Sequence, residues 1–210
     1  MTWEISHRAD ARAAALADRH YSRQKIGSPQ FVPPGRCLVL WQPKAYWVTS
    51  WPFAEWVRHA WAGAWVCSAF RNEGAGLSSE LIIEAVAATR WRYPEVPALG
   101  MVTFVDPGKV PVIRRRGNDI YGYCFRKAGW DHIGCTKGGL WTWQLTPDRM
   151  PEPAKPLMPN MTPDLFQTLD DSAVPTAQDR PLHSDGGTTD SGLRAEPLHR
   201  GPVFSTWCGQ

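Results

Sequence analysis

Three groups of residues in this chain have the types and spacing that chemistry uses. The first is Arg71-Asn72-Glu73-Gly74-Ala75-Gly76, running into Leu77-Ser78-Ser79 and a stretch with apolar residues at helical spacing. A strand that ends in a glycine loop and opens a helix presents bare backbone N–H groups and the positive end of a helix dipole. Both suit a phosphate or pyrophosphate. Gly74 and Gly76 remove side chains that would block the approach, although a plain surface turn uses the same residues. Asn72 and Glu73 stand at the loop mouth, where Glu73 opposes a phosphate unless it faces the acceptor.

The second group is His20-Tyr21-Ser22. An imidazole that titrates near neutrality can serve as a general base or a metal ligand, and equally as a cation closing helix-end carbonyls. The phenol of Tyr21 can give up a proton, stack on a base or pack half-buried. The third is Asp106, in Val105-Asp106-Pro107-Gly108. A carboxylate there can orient His20 or share iron or zinc with it, or form the turn that Asp-Pro-Gly favours.

The charge distribution suits a polyanionic partner, although most three-residue basic runs are solvated loops. Residues 1–146 hold 18 Lys and Arg against 11 Asp and Glu, whereas residues 147–210 hold 5 against 9, so the basic character belongs to the first part. Arg114-Arg115-Arg116 is the densest positive run, and Arg58 lies among Trp51, Trp56, Trp61 and Trp65. Phosphate contacts from such residues are blind to sequence and sensitive to salt, and exposed tryptophan rings can stack on bases. Most of the twelve tryptophans are expected in the core. Five cysteines without a Cys-x-x-Cys pair read as reduced, mostly buried thiols. No apolar run is long enough to span a membrane and no secretory pattern opens the chain, so a cytoplasmic setting is expected.

The elements that must position these residues follow from periodicity. Residues 2–6 read as a strand and Arg8 to about Tyr21 as a helix, with Ala9, Ala13, Leu16 and His20 on one face. Pro33-Pro34-Gly35 is a turn. Cys37–Trp41 and Ala45–Ser50 form two antiparallel strands, Trp65–Phe70 a buried strand, and Ser79–Arg92 a helix whose inner side carries Leu81, Ile82, Ala85 and Val86, with Ser78 or Ser79 as its N-cap. Leu99–Val105 is the next strand, and two more lie near Trp130–Cys135 and Leu140–Leu145. After Thr146 the prolines crowd together, marking residues 147–210 as a linker or extended arm that either wraps its own domain or is disordered from about Ser172.

The pattern Arg71-x-x-Gly74-x-Gly76 resembles the acyl-coenzyme A signature of the GNAT (Gcn5-related N-acetyltransferase) superfamily, between its fourth strand and the helix after it. The segment Cys124-Phe125-Arg126-Lys127-Ala128-Gly129-Trp130, with Ile133-Gly134-Cys135-Thr136, resembles that superfamily's end. Within it, His20-Tyr21-Ser22, Leu77-Ser78-Ser79-Glu80-Leu81-Ile82 and Thr103-Phe104-Val105-Asp106-Pro107 are similar to the Mom-like DNA modification proteins of bacteriophages. The resemblance covers roughly residues 2–146. It implies an α/β fold with a mixed, mostly antiparallel sheet flanked by helices, followed by the Pro-rich tail.

By function, the resemblance implies a transferase that adds a small group of the carbamoylmethyl or acyl type to the exocyclic amine of adenine, protecting phage DNA from restriction inside the bacterial host. His20, Tyr21, Ser22 and Asp106 are then the catalytic candidates, with His20 and Asp106 also candidate iron or zinc ligands. Arg71, Asn72, Gly74, Gly76, Leu77, Ser78 and Ser79 would hold acetyl-coenzyme A or a related donor. Arg114, Arg115, Arg116 and Arg58 would hold double-stranded DNA with a flipped adenine. Adenine's amine is delocalised into its ring, so the transfer needs proton removal and alignment that ordinary amine acetylation does not. Two rival readings are a conventional acetyl-coenzyme A-dependent N-acetyltransferase and a non-catalytic DNA-binding module on the same fold.

Overall fold

The computed structural model describes residues 2–32, 35–52, 57 and 60–158, all within one compact unit. Seven strands form one mixed sheet in the order β1(Glu4–Ser6), β2(Arg36–Gln42), β3(Ala45–Trp51), β4(Trp65–Asn72), β5(Met101–Val105), β9(Trp141–Leu145), β8(Asp131–Cys135). Every neighbouring pair is antiparallel except β4 and β5. A parallel pair needs a long crossover, and helix α2(Ser78–Arg92) supplies it. A separate two-stranded ribbon, β6(Val112–Arg115) and β7(Asn118–Tyr121), follows β5 and leads into the short helix α3(Tyr123–Lys127).

Alternation along β2 and β3 feeds two cores. Leu38, Leu40, Ala45 and Trp47 face one side, with Trp65, Trp130, Trp143 and the Leu81, Ile82, Ala85, Val86 stripe of α2. Val39, Tyr46 and Val48 face the other, under Ala13, Leu16 and Ala17 of α1(Ala11–Ala17). A chain of buried hydrogen bonds ties α2 to the sheet. The Trp47 indole donates to Thr49 Oγ1 at 2.7 Å, Thr49 lies 2.8 Å from Thr89 Oγ1, and Thr89 donates to the Ala85 carbonyl at 2.8 Å.

Several expectations change. The first helix is shorter than expected, because Asp10 caps it by accepting from Arg12 N–H at 2.8 Å and the helical run ends at Ala17, so His20 stands beyond it. Leu77, not a serine, occupies the N-cap of α2, and no side chain caps it. The β6–β7 ribbon was not expected. Trp65 is wholly buried and offers no stacking surface; Trp51 is half-buried against Trp65 and Tyr93 with the Arg36 guanidinium 5.6 Å from its ring, and Trp61 is half-buried, 5.9 Å from the Phe104 ring. Cys67 is buried but Cys135 is exposed.

Residues 151–158 run as an extended strap along the domain. Ala154 N–H donates to the Ala87 carbonyl, while Leu157 exchanges main-chain bonds with Trp3 and Ile5 at 2.8 and 2.9 Å. Among the described residues no helix is long and apolar enough to cross a membrane. Arg58, Trp56, Pro33-Pro34, Cys208 and the tail from Ser172 lie outside the described residues.

Candidate active site

The site is built by a pairing failure between the two parallel strands. β4 and β5 are bonded only through Trp65–Met101, Val66–Val102 and Cys67–Thr103. Beyond that point β4 keeps its partner β3 through Asn72, and β5 keeps its partner β9 through Val105, so each inner edge is left open. Ser68 adds to the divergence. Val48 pairs with Ala69 but Thr49 pairs with Cys67, which makes Ser68 a bulge on β4. The gap is a cleft of about 680 Å³.

His20 and Tyr21 line one part of this cleft; Arg71, Asn72, Leu77, Ser78 and Ser79 line another. The rings of His20 and Tyr21 stack at 4.5 Å. Nδ1 of the imidazole lies 2.7 Å from Ser22 Oγ and accepts from Ser22 N–H at 3.2 Å. Burial, with the nearby Arg71 guanidinium, lowers His20 to about 4, so it is neutral at neutral pH. Burial raises the Tyr21 hydroxyl to about 12 although 41% of the residue's surface stays open. The Asp106 backbone amide works against that rise, favouring the ionised hydroxyl.

The expected pairing of His20 with Asp106 is not made. Ser22 holds the imidazole, and Asp106 Oδ1 accepts from Gly108 N–H at 2.8 Å, the turn-forming alternative. Ser22 faces a smaller pocket of about 180 Å³ on the other side of His20. Among the described residues no group of three or more His, Cys, Asp or Glu side chains could hold a metal ion, so a metal on His20 and Asp106 finds no third ligand of those types.

The glycine loop is organised by Asn72. Its Oδ1 accepts from Gly74 and Ala75 N–H at 3.0 and 2.8 Å; its Nδ2 donates to the Gly76 carbonyl and Ser78 Oγ at 2.8 and 2.9 Å. Two amides expected to be bare are therefore occupied. Those of Ser78 and Ser79 lie in the uncapped first turn of α2, where no helical acceptor exists. Gly74 and Gly76 have φ of 98° and 142°, which favour glycine, and a Cβ at either would meet only open space. Glu73 does not oppose an anion. Arg19 grips it through two bonds of 2.7 Å and Arg71 through one of 2.5 Å, which hold its carboxyl down at about 2. Arg71 also donates to the Arg19 carbonyl, so it braces the loop against the end of α1.

The densest run of positive charge, Arg114-Arg115-Arg116, sits on the ribbon. Arg116 and Gly117 both have positive φ, 51° and 80°, giving the tight turn that matches the twist of a hairpin. Arg114 is paired with Asp119 but 79% exposed, and the Arg115 guanidinium lies 5.6 Å from the Tyr123 ring. Sequence reasoning missed Ser68, Lys109, Tyr123, Cys124 and Lys127, all of which line the cleft. The signal for Tyr123 and Cys124 was their place at the start of the Cys124–Trp130 motif; nothing in the sequence marks Ser68 as a bulge. Neither a protein-family model, nor a curated protein, nor a solved structure matches this chain.

Proposed function

We propose that the protein is a transferase that seats an anionic, coenzyme A-like donor at the start of α2 and delivers a small group to the exocyclic amine of adenine in DNA. The observation that carries this reading is the cleft between β4 and β5, whose lining includes an uncapped helix start, the neutral His20–Tyr21 pair, Lys109, Lys127 and, from the ribbon, Ile113. The strand order with one parallel pair, parting beyond Cys67 and Thr103, and the Arg71–Gly76 loop between β4 and α2 support the resemblance to the GNAT superfamily.

The residues divide the work as follows. The amides of Ser78 and Ser79 and the dipole of α2 attract donor phosphates, while Asn72 keeps the loop open. Unpaired main-chain groups on the inner edge of β4 hold the donor's extended part. Tyr21, protonated throughout the neutral range, hydrogen-bonds the base or protonates the departing group. His20 is a positioning residue that stacks on Tyr21 and fixes Ser22. As the adenine nitrogen bonds to the transferred carbon, that carbon's bond to the donor breaks, Tyr21 protonates the departing group, and its phenolate then takes the proton that the modified amine must lose.

Plasmid DNA from bacteria expressing the protein should resist endonucleases whose sites contain adenine, and DNA from cells expressing Tyr21→Phe should be cut. Equal cleavage of both, with both proteins soluble, refutes the proposal. Acetylation of polyamines or proteins from acetyl-coenzyme A, without effect on DNA, would select the conventional N-acetyltransferase.

A further inference from the structure

Resting on that reading, we propose that the β6–β7 ribbon is the device that opens the duplex: Ile113 enters the base stack as the adenine turns into the cleft, while Arg114 and Arg116 hold the flanking phosphates. An adenine amine inside a duplex is out of reach of a recessed site, so the base must leave the stack, and an apolar side chain commonly fills the gap.

Three observations converge on Ile113. It lines the cleft, on a ribbon separate from the main sheet. It lies directly across from Ile120, which is 4% exposed and anchors the ribbon to the core, yet Ile113 itself remains 39% exposed. A strand that merely covered the core would bury both. Lastly, between residues 109 and 127 the chain carries six Lys and Arg against the single carboxylate of Asp119, so the surface around this apolar side chain is matched to a polyanion. Val112 provides an internal control. It is equally exposed at 39%, but it is the neighbouring residue on the strand, so it points to the opposite face and does not line the cleft.

The test uses the full chain and intact plasmid duplex, which presents every sequence context. Thymines left without a stacked partner react with permanganate, so each opened adenine reports through the thymine opposite. At equal saturation of the DNA, the parent protein should create reactive thymines. Ile113→Ala should create about tenfold fewer, the scale expected from losing part of a buried branched side chain, while Val112→Ala matches the parent. On heat-denatured plasmid, where no stack must be opened, Ile113→Ala should bind as the parent does. Loss at Val112→Ala equal to that at Ile113→Ala, or full opening by Ile113→Ala, overturns the wedge. DNA with modified adenine but no parent-induced reactive thymine overturns the wedge alone, whereas absence of DNA binding by the parent overturns the DNA reading as well.

Discussion

Lowering the pH should destabilise the fold through His20 in a way that can be calculated and isolated. Its ordinary value is 6.5 and its folded value about 4, so the unfolded chain binds the proton more readily in that interval. Folding stability from this group is therefore complete above about pH 6.5 and falls as the pH drops toward 4. Between pH 7.5 and pH 5 the loss works out to about 2 kcal/mol, reaching about 3 kcal/mol once both states are protonated. The acceptors at stake are physical: a protonated Nδ1 can no longer accept from Ser22 N–H, and the added charge meets Arg71. Glu73 and Asp10, both held at about 2 by arginines, act in the same direction but mostly below pH 5. Urea unfolding of the parent and of His20→Gln at the two pH values separates the contributions, since glutamine does not titrate. The parent should lose about 2 kcal/mol more than the variant. Equal losses would show that the imidazole is not held neutral in the fold.

Asn72→Ala removes four hydrogen bonds from the glycine loop and should weaken coenzyme A binding by at least about tenfold in calorimetry, with about 1 to 3 kcal/mol lost in unfolding. Unchanged affinity would place the donor elsewhere. Thr89→Val cuts the chain from Trp47 to Ala85 and strands the buried Thr49 hydroxyl, for a cost of about 1 to 2 kcal/mol measured by thermal or urea unfolding. Arg114→Ala and Arg116→Ala should weaken duplex binding alike for all sequences and flatten the dependence of log affinity on log salt by about one unit each; a sequence-selective loss would assign them to base reading instead.

Much of the scaffold was legible because burial imposes a period. The stripe Leu81, Ile82, Ala85, Val86 gave α2 to within a residue, and the short apolar runs Leu38–Leu40 and Ala45–Val48 around Gln42-Pro43-Lys44 gave the β2–β3 hairpin. The ribbon was hidden because residues 111–119 are all exposed, so no alternation of burial marks them; the available signal was Arg116-Gly117 between the apolar pairs Val112-Ile113 and Ile120-Tyr121. In the site, the pairing expected between His20 and Asp106 is not the one the chain makes. His20 and Asp106 each found a hydrogen-bond partner two residues away, in Ser22 and Gly108, and such local bonds form without the entropy cost of bringing distant segments together. The parting of β4 and β5, which creates the cleft, depends on where pairing stops and is not encoded in either strand read by itself.

The proposed function requires the cleft between β4 and β5 to bring an anionic donor and an adenine together. The most direct measurement is digestion of DNA from bacteria expressing the protein to single nucleosides, followed by mass analysis. A fraction of deoxyadenosine carrying an added small group, absent when Tyr21→Phe is expressed, is the predicted result. Deoxyadenosine of unaltered mass throughout, from cells holding soluble parent protein, would contradict it.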